Sequence, residues 1–204
     1  MTYSIVARDP ATGELGVAVQ SHWFSVGSVV SWAEPGVGAV ATQSFSNSDF
    51  GTKGLDLLAL GATPQEVLTI VSRDDADLQD RQVGIVDAKG RSATFTGKKC
   101  FDWAGGRTGP DYAIQGNILV SEATVDAMEK AFLGTRGALA DRLLAAIKAG
   151  AEAGGDRRGR QSAALVVVRQ GASYDAKSDR YIDISVYDAK DPIAEIYQAS
   201  TEKV

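Results

Sequence analysis

The period of the apolar positions changes several times along the chain. Residues 3–8 and 15–19 are β-rich runs joined by Asp9-Pro10-Ala11-Thr12-Gly13, so the pattern predicts an opening β-hairpin. Residues 26–30 and 38–42, around Glu34-Pro35-Gly36, read as a second strand pair. Their mixture of valine with small residues predicts strands covered on both faces. The period then becomes helical. Leu55, Leu57, Leu58 and Leu60, closed by Gly61, predict a short helix. Thr63-Pro64-Gln65-Glu66 is a complete helix start, with Thr63 as the cap, Pro64 in the first turn and Glu66 reaching back.

A third hairpin is predicted over 82–86 and 92–96, turning at Asp87-Ala88-Lys89-Gly90, and Tyr112-Ala113-Ile114 is a further strand. Two helices follow, one capped by Ser121 and closed by Gly134, the other running over 138–150. Strands at 163–169 and 181–187 precede a last helix capped by Asp191-Pro192. Clustered strands alternating with clustered helices predict an α+β fold with antiparallel sheets rather than a wound parallel sheet. Two helix pairs and roughly eight strands suit a four-layer αββα sandwich, two stacked antiparallel sheets flanked by helices. No linker composition interrupts the 204 residues, so one domain spanning 1–204 is expected.

Composition narrows the function classes. A net charge of −5 argues against a nucleic-acid partner. One cysteine, Cys100, and one histidine, His22, leave no internal disulfide and no zinc cluster, so no metal or cofactor is expected. Cys100, beside Phe101 and Trp103, reads as a buried thiol. No apolar run approaches ~18 residues, and the first turn carries Arg8, Asp9 and Glu14, which predicts a cytoplasmic protein without a membrane partner.

The smallest feature carries the most chemistry. Thr2 follows Met1 and begins an apolar strand. Removal of the methionine, which cells commonly perform before a small residue, would leave one residue with a hydroxyl and a free α-amine. An α-amine titrates near ~7.7–8.0, so it can serve as the base for its own hydroxyl without any histidine. Thr42-Gln43-Ser44-Phe45-Ser46-Asn47 and Gln115-Gly116-Asn117 each lie at a strand-to-helix junction, where Gln43, Asn117 and backbone N–H groups could face a developing oxyanion. Helix capping is the plainer reading for Ser46, Asn47 and Ser48. Ser44 and His22 are candidate pocket residues. Asp156, Arg157, Arg158 and Arg160, between Gly155 and Gly159, could form an anion-binding loop, because guanidinium forks fit carboxylates. Trp23, Trp32 and Trp103 fall in irregular or edge regions, which suits an aromatic pocket or a subunit contact.

The hairpin Thr2-Tyr3-Ser4-Ile5-Val6-Ala7-Arg8 with Val17-Ala18-Val19 resembles the opening of proteasome-type subunits, which are N-terminal-nucleophile (Ntn) hydrolases. Four segments extend the likeness over nearly the whole chain. They are Ser4-Ile5-Val6-Ala7-Arg8-Asp9-Pro10, Gly36-Val37-Gly38-Ala39-Val40-Ala41-Thr42-Gln43, Gln115-Gly116-Asn117 and Gly154-Gly155-Asp156-Arg157-Arg158-Gly159-Arg160-Gln161-Ser162-Ala163. On these the chain is identified as a member of a bacterial family, domain of unknown function 1028, placed in the Ntn-hydrolase superfamily. The resemblance implies the αββα sandwich, amide-bond hydrolysis and stacked homo-oligomers. Gln20 stands where proteasome subunits carry an aspartate, and no lysine follows at the matching place, which argues against a peptidase. The expected function is an amidohydrolase cleaving a small anionic amide through an acyl-threonine. The alternatives are a non-catalytic binding or assembly protein and a threonine-type peptidase.

Overall fold

Among the described residues ten antiparallel strands sort into two sheets, and most of them carry apolar or small side chains on both faces. The computed structural model describes residues 2–172 and 179–201. The chain runs β1 (Thr2–Arg8), β2 (Leu15–Ser21), a helical turn α1 (Gly27–Val30), β3 (Ser31–Glu34) and β4 (Gly38–Ser44). Helices α2 (Asp49–Ala59) and α3 (Pro64–Ser72) precede β5 (Arg81–Asp87), β6 (Ser92–Thr96), β7 (Gly105–Gly109) and β8 (Tyr112–Asn117). Helices α4 (Ala123–Gly134) and α5 (Leu139–Glu152) lead to β9 (Ser162–Val168), β10 (Arg180–Val186) and α6 (Pro192–Thr201). The larger sheet has the order β10-β9-β2-β1-β8-β7, and the smaller has the order β3-β4-β5-β6.

Three apolar layers hold these elements together, as the four-layer expectation requires. Tyr3, Ile5 and Ile114 pack outward against Met128, Leu143 and Leu144 of α4 and α5. Val6, Val17, Val19, Ala39, Ala41 and Val86 meet between the sheets. Val40, Val83 and Ile85 pack outward against Phe50, Leu58 and Val67 of α2 and α3. The period-2 alternation decides which side chain joins which layer. Fully burying one such side chain contributes ~1.5–3 kcal/mol, so these layers dominate stability. Among the described residues no helix is long and apolar enough to cross a membrane.

Several local expectations are met. Thr63 and Glu66 form a reciprocal capping box on α3. Asp191 Oδ1 accepts from the Ala194 N–H at the start of α6. Cys100 is buried, and burial pushes its thiol upward.

Other elements differ from the pattern. Residues 26–30 form a helical turn, not a strand, and the edge strand follows at Ser31. Val26 and Val30 are one turn apart and both enter the inter-sheet layer, so helical spacing satisfies these β-branched residues. The first long helix begins at Asp49 rather than near Leu55. Gly51 weakens its helical signal but is needed there, because an added Cβ would lie 2.3 Å from the Trp32 ring. Ser121 offers its carbonyl to Thr124, and no side-chain cap starts α4. Strand β7, Gly-Gly-Arg-Thr-Gly, has no apolar alternation and was not expected.

Candidate active site

Antiparallel pairing brings strand beginnings beside strand ends. Thr2 opens β1 and is paired on one side with Ser21, the last residue of β2, and on the other with Asn117, the last of β8. In the smaller sheet Gln43, near the end of β4, is paired with Gln82 at the start of β5. The same alternation that buries Val6 and Val86 turns Thr2, Ser4, Gln43, Gln82, Gln115 and Asn117 into the space between the sheets. The inter-sheet layer is therefore apolar at one end and polar at the other.

Hydrogen bonds orient every amide at the polar end. The Gly116 carbonyl can only accept, so the Gln82 group 2.7 Å away must be its NH₂. Gln82 Oε1 then accepts from Gln43 Nε2 and from Asn117 Nδ2, both at 2.8 Å. Gln43 Oε1 accepts from the Ser4 hydroxyl at 2.6 Å, and that hydroxyl oxygen accepts from Gln115 Nε2, also at 2.6 Å. Gln115 Oε1 ends the series without a partner, pressed toward Gly84, where an added Cβ would lie 1.9 Å from it. The network leaves little freedom to any member.

This arrangement changes the expected role of Gln43. Its amide nitrogen also lies 3.3 Å from the Thr2 carbonyl and 3.4 Å from that of Gln115. Both of its hydrogens serve the network, so Gln43 braces the Thr2 backbone instead of donating to an oxyanion. Asn117 commits one of its two amide hydrogens to Gln82 and lines the cleft beside Thr2.

Above the network opens a cleft of about 510 Å³. Thr2, only 6% exposed, sits in its wall with its hydroxyl 3.1 Å from that of Ser21. Ser44 also lines it. Ser44 and Ile118 both hold left-handed backbone conformations, with φ of 69° and 52°. For β-branched Ile118 this is a genuine outlier, and such strain costs ~1–3 kcal/mol. Both strained residues flank the same cleft.

The glycine-bounded arginine segment is divided by the fold. The Asp156 carboxylate is fully buried and accepts from the backbone N–H groups of His22 at 2.9 Å and Arg158 at 2.8 Å. It staples the end of β2 to the loop. The Arg157 guanidinium donates to the Leu119 carbonyl at 3.3 Å. Arg160 pairs with Asp191 at 3.2 Å and lines a separate cavity with Lys148 and Tyr197. Of the three arginines only Arg158 lines the Thr2 cleft, and the His22 side chain does not line it either. Asp156, Arg157, Arg160 and His22, expected as substrate contacts, thus stand outside the lining of this cleft.

Residues outside the sequence expectations complete the site. Arg81 lines the cleft, is held by Asp75 at 3.0 Å, and donates to the Phe45 carbonyl at 2.8 Å. Hydrogen bonding from Arg81 overcomes the effect of burial and holds the Asp75 carboxyl at about 2; Asn47 adds a further donor. Gln82 was also missed. The signal for Gln82 was its parity with Val86 on β5, which turns it inward. Among the described residues no three His, Cys, Asp or Glu side chains gather around a metal-sized site.

Comparison with solved structures finds strong likeness to the crystal structure of protein SPO2555 from Silicibacter pomeroyi, which is assigned to DUF1028. The identity is 28% over 98% of this chain and 88% of that one, with a TM-score of 0.89. Lower scores of 0.41 relate it to Thiobacillus denitrificans BPH in complex with epoxomicin and to Anbu (ancestral beta-subunit) from Yersinia bercovieri. The first is 15% identical over 83% of this chain and 98% of that chain. The second is 13% identical over 98% and 93%. Comparison with curated proteins finds no match. Residues 2–196 match the model of a family of unknown function, DUF1028, and the chain belongs to that family.

Proposed function

We propose that the chain is an Ntn-type amidohydrolase whose nucleophile is Thr2, exposed as the N-terminal residue once Met1 has been removed. The observation that carries this reading is the Thr2 hydroxyl, held 3.1 Å from the Ser21 hydroxyl at a strand end within the cleft. The antiparallel frame holds that hydroxyl on a rigid element, which favours catalysis over a loop-borne group.

Thr2 Oγ1 attacks the amide carbonyl, and its proton passes to the freed α-amine, directly or through the Ser21 hydroxyl. The second Asn117 amide hydrogen stabilises the oxyanion. The amine returns the proton to the leaving nitrogen as the C–N bond breaks, leaving an acyl-threonine ester that water hydrolyses. Among the described residues no carboxylate lines the cleft, whereas Arg81 and Arg158 do. These charges favour an anionic substrate.

Intact-mass measurement of the purified protein tests the first requirement, namely loss of one methionine. An activity screen of that form against amides, with Thr2→Ala as control, tests the second. Turnover that persists in Thr2→Ala removes the nucleophile assignment.

A further inference from the structure

We infer that the Thr2 cleft selects an N-acylated α-amino acid, with a bulky apolar acyl group and a free carboxylate next to the scissile amide. This rests on the amidohydrolase reading above.

Two features of the cleft have opposite chemistry. The first is a cationic side chain whose loop is tied to the strand end beside Thr2. Ser21 touches Thr2 through the two hydroxyls, and the next residue, His22, donates its N–H to Asp156. Asp156 in turn holds the backbone of Arg158 at 2.8 Å. One buried carboxylate thus ties Arg158 to the strand end beside Thr2. The Arg158 side chain is 42% exposed, keeps a 3.5 Å contact to Asp156, and lines the cleft. A carboxylate held by it is therefore assigned to the part of the substrate next to the scissile amide. In an N-acyl α-amino acid a single carbon separates the amide nitrogen from the carboxylate, which fits that assignment.

The second feature is an apolar mouth. Trp23, Phe45 and Phe101 come from three different loops, line the cleft, and are 62%, 58% and 59% exposed. Val29, on α1, adds to the same wall. Large exposed aromatics converging on one cleft mark a surface that an apolar group covers on binding. With the carboxylate assigned to Arg158, the apolar part of the ligand is the acyl chain, packed against these aromatics.

The chemistry balances without a co-reactant other than water. Thr2 Oγ1 bonds to the acyl carbon, the C–N bond breaks, and the amino acid leaves with the proton carried by the α-amine. Water then cleaves the ester, releasing the apolar carboxylic acid and restoring the hydroxyl.

The test uses the full chain lacking Met1 and three probes: N-octanoylglycine, its methyl ester and N-acetylglycine. Binding to Thr2→Ala is read by titration calorimetry. Turnover by the unmodified protein is read as appearance of the free acid. N-Octanoylglycine should bind about 100-fold more tightly than N-acetylglycine, since six fewer methylenes reach the mouth. It should bind about 10-fold more tightly than its ester, and Arg158→Gln should remove that second preference. Trp23→Ala with Phe101→Ala should weaken the first. Selective binding without turnover keeps the ligand class and overturns the hydrolase reading. Thr2-dependent turnover with no preference for acyl length or carboxylate does the reverse. Absence of selective binding to Thr2→Ala overturns the inference outright.

Discussion

Gln82 Oε1 accepts the Asn117 amide across the gap between the two sheets, at 2.8 Å. Because Gln82 also donates to the Gly116 carbonyl, its own orientation is determined by a group that cannot flip. Asn117 therefore presents its nitrogen inward, and the remaining amide hydrogen is set by that choice. The contact joins β5 to β8 and so makes the smaller sheet part of the apparatus around Thr2.

Replacing Gln82 by Leu leaves the Gln43 and Asn117 amides without their shared acceptor. We expect the variant to fold but to lose ~2–3 kcal/mol, the cost of buried unpaired donors. Turnover should fall while KM changes little, because Asn117 is misplaced and the cleft walls are not. Asn117→Ala should cost ~100-fold in kcat, as removal of one oxyanion donor does. Steady-state kinetics with a denaturant melt checks both. Full turnover in a destabilised Asn117→Ala would reduce Asn117 to a structural role.

Thr2→Ala should abolish hydrolysis and cost about 1 kcal/mol of stability, the value of the single hydroxyl contact to Ser21. Thr2→Ser retains the hydroxyl and the amine and should keep measurable turnover. Active-site titration through a trapped acyl-enzyme, read by mass spectrometry, distinguishes the three forms.

Gly84 faces Gln115 at a separation that leaves no room for a methyl group. Gly84→Ala should therefore lose ~1–3 kcal/mol through overpacking. Combining it with Gln115→Ala, which vacates the space, should cost less than the sum of the two single changes. A double-mutant cycle measured by chemical denaturation checks the coupling. Strict additivity would mean that the sheets shift to absorb the methyl.

Asp75 and Arg81 brace the wall that carries Phe45. Arg81 holds the Asp75 carboxyl at about 2, below the ~3.9 of an unfolded aspartate. The folded protein therefore keeps Asp75 ionised at a pH where the unfolded chain takes up its proton. The contribution is fully present above about pH 5 and is lost as pH falls from about 4 through 2. It is on the order of 2 kcal/mol at neutral pH. Thermal melts from pH 6 to pH 2.5 should show this loss in the unmodified protein and a shallower one in Asp75→Asn.

Much of the fold was legible because its cause is local. Alternation of Val and Ala with small residues marks strands buried on both faces, and Thr63-Pro64-Gln65-Glu66 carries its own cap, so neither needs a distant partner to be recognised. Residues 26–30 misled because valine favours strands locally, whereas the inter-sheet layer accepts Val26 and Val30 one helical turn apart. Thr2, Ser44 and Asn117 were identifiable as candidates because each lies at a strand end bearing a polar side chain of the right chemistry.

Tertiary pairing alone decided which candidates share a site. Nothing within the sequence segment 156–160 tells Arg158 from Arg157 or Arg160. Burial of Asp156 against His22 turns one arginine to the Thr2 cleft, one to the Leu119 carbonyl and one to Asp191. Gln43 looked like a donor to substrate until Gln82 supplied an acceptor for it from a neighbouring strand. The sequence by itself determined the layers, since side-chain period is a local property of the chain. Only the register between β1, β2, β8, β4 and β5 decided the site, because a hydrogen bond between residues tens of positions apart has no local signature.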